Sequence, residues 1–301
     1  MPDPTANPVS SPANALQANL QEHVRNICGL RHGTDNYDEL EQKAQYVESF
    51  FRYCGFPVEN QYFQFRSRQY RNVIATVAGS RPDLPPLLLG AHYDGNRGTP
   101  GADDNASGVA VLLETARALK QAAPARRVEL VAFTLEEPQT FTHLICRGSK
   151  VFARRARERK ERYQGAVILE CIGFTSEKQK WELISQLLGL EIPPTGDFLA
   201  VVGNVPSHSF LNAFVASARR SNPALKTIGY AAPAQGYLLP QLRFSDHSSF
   251  WDNDYPAIML NDTVMFRNPN YHQPGDLPET LDFPFMAEVA ASVVTFLKDY
   301  R

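Results

Sequence analysis

The sequence predicts an α/β fold, a three-layer α/β/α sandwich around a central twisted, mostly parallel mixed sheet. Two observations carry this. Short apolar runs alternate with helical patterns along most of the chain. Several of those runs, such as residues 87–91 (LLLGA) and 128–135 (VELVAFTL), are largely apolar, which suits strands covered on both faces by helices. The 301 residues, 43% hydrophobic and 21% charged, are enough for one large domain and ordinary for a globular protein.

Taken in order, the Pro/Ser/Ala-rich start (MPDPTANPVSSPANA) reads as a loose arm. The expected division is an N-terminal arm and first helix over 1–36 and a single main domain over 37–301. Residues 38–53 form a helix, because Leu40, Ala44, Val47 and Phe51 recur at helical spacing and Gly55 follows as a C-cap. Residues 72–78 (NVIATVA) read as a strand, as do 87–91. Residues 107–121 form a helix that opens on Ser107. Strands follow at 128–135 and 165–171 (GAVILEC), a helix at 209–219, a strand at 257–260 and a closing helix at 285–298. The Pro-rich stretches at 82–86 and 193–194 read as loops inside one domain.

Composition excludes several classes. The net charge is -2, so no basic excess points to nucleic acid, and no polybasic or amphipathic arm points to a membrane. No apolar stretch approaches the ~20 residues needed to span a bilayer, and no basic n-region and apolar h-region mark a secretory signal. As written, the chain reads as cytoplasmic, or secreted or periplasmic if a signal has been removed. Cys28, Cys54, Cys146 and Cys171 form no C-x-x-C pair and read as ordinary thiols. No G-x-S-x-G, G-x-G-x-x-G or P-loop motif is present. No feature sets an oligomeric state.

In α/β sheets, functional groups collect at the carboxyl ends of the strands. After LLLGA come His92, Tyr93 and Asp94, and eleven residues after His92 comes Asp103, in GADDNASG. After VELVAFTL come Glu136 and Glu137, after GAVIL comes Glu170, and late in the chain comes His272, in NPNYHQPGD. Carboxylates crowded at one sheet edge repel one another unless a cation neutralises them. A mixed imidazole and carboxylate set suits zinc or a similar divalent metal. Five donors exceed the needs of one catalytic zinc and fit two ions that share one carboxylate.

The HYD triplet, the GADDNASG loop, the Glu-Glu pair and the late Tyr-His, in this order, resemble the co-catalytic dizinc aminopeptidase family. That family includes bacterial leucyl-type aminopeptidases and is related to glutamate carboxypeptidase II and glutaminyl cyclase. The resemblance runs from about Tyr37 to the C-terminus. It implies a zinc exopeptidase fold, two zinc ions per chain and peptide substrates. It implies that Asp103 bridges the ions, that His92 and Glu170 complete one site, and that Glu137 and His272 complete the other. Glu136 would be the general base on a metal-bridging water, and Tyr271 would polarise the scissile carbonyl. Asp94 would orient His92 through its other nitrogen, with Asp104, Asp246 and His247 (the SDH triplet) beside these groups. A cis peptide is expected between Asp103 and Asp104.

This chain departs from the family pattern in two places. Position 170 is Glu where Asp is usual, which lengthens that arm by one methylene. The segment between Glu137 and Gly148 replaces a short Gly-rich stretch and is expected to shape a pocket wall. Other readings of the scaffold are a one-zinc glutaminyl cyclase, which the DDNASG loop disfavours, and a carboxypeptidase, with Arg97 or Arg243 as a carboxylate clamp. A non-catalytic binding protein is disfavoured because every donor position is occupied. His23, His32, His143 and His208 read as structural, and the basic run 154–162 reads as a solvated helix face.

Overall fold

The computed structural model describes residues 12–139, 145–178, 189 and 191–301. His143 and the middle of the segment between Glu137 and Gly148 lie outside the described residues. Eight strands form one mixed sheet: β1 (Val58–Phe65), β2 (Arg68–Val77), β3 (Leu87–His92), β4 (Val128–Phe133), β5 (Gly165–Glu170), β6 (Phe198–Asn204), β7 (Lys226–Ala232) and β8 (Ala257–Asn261). Their spatial order is β1-β2-β4-β3-β5-β8-β6-β7. The centre, β4-β3-β5-β8, is parallel. The β1–β2 hairpin joins one side antiparallel to β4, and β6 meets β8 antiparallel on the other.

The α-helices of the described residues are α1 (Pro12–Ile27), α2 (Tyr37–Tyr53), α3 (Gly108–Gln121), α4 (Arg147–Glu158), α5 (His208–Ser221), α6 (His247–Trp251) and α7 (Phe283–Asp299). Side-chain alternation divides them between the two sheet faces. Leu87, Leu89 and Ala91 of β3 join the larger core with α1, α2, α3, α5 and α7, while Leu88 joins Phe152 of α4 and Phe250 and Trp251 of α6. Because both faces are covered, the central strands are buried along their whole length. This is why their sequences read as continuous apolar runs.

The helix that precedes residue 37 is part of this core. Leu20, Val24 and Ile27 are fully buried in the same cluster as Leu112 of α3 and Val293 of α7. The strands β1, β6 and β7 carry no clear pattern in the sequence. They lie at or next to the sheet edges, and β1 and β7 are only partly buried. The run 154–162 spans the end of α4, whose Phe152, Ala153 and Ala156 face the smaller core while Arg154 stays exposed. Among the described residues, no helix is long and apolar enough to cross a membrane.

Candidate active site

The parallel strands β4, β3 and β5 aim their carboxyl ends at one region. His92 ends β3 and Glu170 ends β5, while Glu136 and Glu137 follow β4 by three and four residues. The loop between β3 and α3 adds Asp104, from a kinked turn over Ala102–Ser107 in which Asp104 itself is non-helical (φ -103°, ψ 90°). His272 comes from the irregular segment after β8.

Two triads result. His92, Asp104 and Glu170 form one, and Asp104, Glu137 and His272 form the other, with each set of donor atoms within 4.8 Å of one another. Asp104 belongs to both. Its Oδ1 lies 3.3 Å from His92 Nε2, and its Oδ2 lies 3.0 Å from His272 Nε2. Glu170 Oε2 lies 3.3 Å from His92 Nε2, and Glu137 Oε1 lies 3.3 Å from His272 Nε2. Glu136 stands just beyond, its Oε2 4.0 Å from His92 Nε2. His92 Nε2, His272 Nε2 and Glu137 Oε1 are buried and have no hydrogen-bond partner among the described residues. Such orphaned, convergent donors fit a divalent cation in each triad.

The carboxylate common to both triads is Asp104 and not the expected Asp103. Neighbouring side chains leave this backbone in different directions, and Asp103 is turned away from both triads. Its Oδ1 accepts from Gly173 N at 2.9 Å and its Oδ2 from Asn268 Nδ2 at 2.7 Å, so it braces the segments after β5 and β8. The cis peptide likewise falls one residue later than expected, between Asp104 and Asn105.

The surrounding protein holds each donor in place. Asp94 Oδ1 and Oδ2 accept from Glu136 N at 3.0 Å and Glu137 N at 3.1 Å, and Oδ1 lies 3.5 Å from His92 Nδ1. One buried carboxylate thus ties the end of β3 to the Glu-Glu pair. Asp276 does the same for the other loop, accepting from Asp103 N at 2.8 Å and Asp104 N at 3.1 Å. Asn96 donates to Glu137 Oε2 at 3.0 Å and lies 2.8 Å from His272 Nδ1. Ser245 donates to Glu170 Oε2 at 2.7 Å, and Cys146 donates to Glu136 Oε1 at 3.3 Å. Gly101 enters the loop at φ 65°, where a Cβ would stand 2.3 Å from the Asp104 carbonyl oxygen.

Arg31 is wholly buried, and its guanidinium donates to the carbonyls of Gly29, Tyr93, Pro100, Gly101 and Asp104. Sequence reading missed Arg31, Asn96 and Asp276, while Ser245 belongs to the SDH triplet that it placed beside the site. Asn96 and Asp276 sit four residues after His92 and His272, and that proximity is the one signal that could have found them. Arg31 lies in the stretch read as an arm and leader helix, with no motif around it.

The electrostatics follow from crowding. Burial pushes Glu136 well above its usual range, although His92 opposes this. Burial and the Asp104 charge raise Glu137 to about 7. Burial works against charge on Asp104 too, yet the flanking His272 and His92 rings hold it well below its usual value. Burial disfavours a charged His272, but Asp104 and Glu137 raise it to about 11. The surrounding carboxylates favour the charged form of both imidazoles, against the effect of burial. Divalent cations at the triads would take over this neutralisation, with the imidazoles binding as neutral ligands.

Other expected residues are placed as follows. Tyr271 stacks on His272 with ring centroids 3.8 Å apart and lines the pocket. Asp246 is buried, and burial raises it to about 7 despite the His92 charge. His247 is turned elsewhere: its Nε2 lies 2.8 Å from the Leu242 carbonyl oxygen, and its ring meets Trp251 edge-on. Arg97 pairs with Asp35 at 3.0 Å, and Arg243 pairs with Asp252 at 2.6 Å, so neither is a free clamp. The triads open on a cleft of about 470 Å³, walled by Ile145, Phe244 and Met265. An apolar recess behind it shares Phe244, Met265 and Tyr271, and adds Phe198, Ile228 and Met259.

The pattern of the family described as peptidase family M28 matches residues 72–297. This chain belongs to peptidase family M28. The M28 chain is 36% identical to the Escherichia coli (strain K12) protein YfbL, over 96% of its own length and 90% of that protein. It is 25% identical to leucine aminopeptidase 1 of Trichophyton equinum, over 76% of its own length and 57% of that protein. Its fold is that of the solved Porphyromonas gingivalis glutaminyl cyclase, with a TM-score of 0.72, 20% identity and coverage of 96% of this chain and 98% of the other. As a member of M28, the chain is a metallopeptidase acting on peptides.

Proposed function

We propose that this M28 peptidase is a zinc aminopeptidase that binds two ions and removes N-terminal residues from peptides. One observation carries the reading: two triads of imidazole and carboxylate donors share Asp104, and Glu136 stands beside them in the same cleft. The leucine aminopeptidase name of the Trichophyton relative supports the reaction, and the zinc metalloprotease name of a Pyricularia oryzae relative supports the metal.

His92, Asp104 and Glu170 would hold one zinc, and Asp104, Glu137 and His272 the other. When bound, the ions supply Lewis-acid chemistry, acidifying water toward a pKa of roughly 7 and polarising a carbonyl. Glu136 takes a proton from the attacking water and returns it to the leaving amine. Burial and the Cys146 thiol keep Glu136 oriented. Tyr271, held by stacking on His272, offers its hydroxyl to the carbonyl oxygen as charge develops there. The apolar recess behind Tyr271 takes the side chain of the departing residue, so large hydrophobic N-terminal residues are preferred.

Glu136→Gln keeps the ligand set and removes the base. Elemental analysis is expected to find two metal ions per chain still bound, with kcat on leucyl chromogenic substrates lowered about 10²–10⁴-fold. Near-normal turnover would reject Glu136 as the base. A second reading, glutaminyl cyclase chemistry, draws on the likeness to the Porphyromonas enzyme over nearly both whole chains. One ion per chain, with pyroglutamate formed from glutaminyl peptides and no release of unblocked N-terminal residues, would favour it.

A further inference from the structure

A groove beside the catalytic cleft shares Ile145 with it and runs along the first turns of α4. Phe63 of β1 forms one side, and Arg147, Lys150 and Arg154 of α4 form the other. The acid on this wall, Asp252, is already taken by Arg243 at 2.6 Å. Arg147 makes no ion pair among the described residues, and its buried Nε has no hydrogen-bond partner there. Its guanidinium lies 4.1 Å from the centre of the Phe65 ring, and Arg66 lies 5.6 Å from the same ring. Lys150 uses Nζ on the Ile145 carbonyl at 2.9 Å, and Arg154 reaches Glu158 only at 3.9 Å. Three cations thus line one groove, and among the described residues its one lining acid, Asp252, is paired with Arg243. Burial and the neighbouring Arg66 charge hold the Arg147 guanidinium below its usual value, which an incoming anion would relieve.

We propose that this groove binds a carboxylate on the leaving side of the scissile bond, with Arg147 as its main anchor. The inference rests on the aminopeptidase reading above. The carboxylate comes from the C-terminus of a short peptide or from an acidic side chain one or two residues beyond the cut. A planar guanidinium fixed on an aromatic ring is suited to paired hydrogen bonds with a carboxylate. The chain is thereby selective for short, free-acid or acidic peptides.

The test compares three peptides with the wild-type enzyme: Leu-Ala-Ala as free acid, its C-terminal amide, and Leu-Ala-Glu as C-terminal amide. Leucyl p-nitroanilide, which has no downstream carboxylate, is the reference. The free acid is expected to exceed its amide about tenfold in kcat/KM, chiefly through KM, as a charge-assisted hydrogen bond implies. The glutamyl amide tells which carboxylate is read: it matches the free acid if a side chain suffices and the plain amide if the C-terminus is required. Arg147→Gln is expected to bring the acid-to-amide ratio close to one, whereas a purely structural role would lower both rates together and leave the ratio intact. Should that variant fail to fold, Lys150→Gln and the fall of the wild-type ratio with ionic strength separate the same two outcomes. If all peptides and the reference are cleaved and neither carboxylate raises kcat/KM, the groove assignment is overturned while the aminopeptidase reading stands. Failure to cleave any of them overturns both.

Discussion

Two adjacent aspartates show how finely the site is decided. Asp104 meets both imidazoles, and Asp103 meets none, although only one peptide bond separates them. Asp104→Asn removes the charge shared by both triads and is expected to lower metal content toward zero along with activity. Asp103→Asn is expected to retain metal near the wild-type level. It should cost roughly 1–3 kcal/mol of stability, because the amide keeps one acceptor oxygen and must present its NH₂ to either Asn268 Nδ2 or Gly173 N, which now donate to separate carboxylate oxygens. Elemental analysis and chemical denaturation of the two variants check both outcomes. If Asp103→Asn emptied the site and Asp104→Asn did not, the bridging role would return to Asp103.

Among the elements, α1 bears most directly on the site. Leu20, Val24 and Ile27 seal the layer formed by α3 and α7, and Arg31 beyond them holds the loop that carries Asp104. A chain cut to residues 37–301 would expose that apolar face and lose the guanidinium. It is expected not to fold into an active enzyme. In the full chain, Leu20→Ala is expected to cost about 2–5 kcal/mol, the usual range for a buried Leu-to-Ala cavity, with kcat little changed under conditions where the protein remains folded. Thermal melts and activity assays of the truncated and substituted chains measure this. A stable, active 37–301 fragment would show that the main domain begins where the helical pattern of α2 does.

At the scale of the molecule, the sheet gathers the buried side chains of Asp104, Glu136, Glu137 and Glu170 at one cleft. Burial raises Glu136 and Glu137 above their usual values, so the metal-free fold stores electrostatic cost. Ions that bind only the folded state stabilise it by about 4 kcal/mol at a free concentration a thousandfold above Kd. Stripping them with a chelator is expected to lower Tm by roughly 5 °C or more, reversed by adding zinc back. Calorimetry of the stripped and reloaded protein reads this directly. An unchanged Tm would argue against ions bridging these strands.

Much of this is legible in the chain itself. The central strands are readable because a strand covered on both faces must be apolar throughout, and their carboxyl ends point to His92, Glu136, Glu137 and Glu170. The helices α2, α3, α5 and α7 follow from apolar spacing on their buried faces. The edge strands β1 and β7 are not readable, since half-buried strands mix polar and apolar residues without a clear period. Local pattern cannot choose between Asp103 and Asp104, because that choice depends on how one loop turns relative to two distant segments. Nor can it find Arg31 and Asp276, which act on backbone groups brought near only by folding. Burial and periodicity are written locally, so the layers and the kinds of donor at the strand ends can be read from the linear chain. Which carboxylate sits between the two histidines, and which cations remain without an acid, depends on distances between residues far apart in the chain, and folding alone sets those distances.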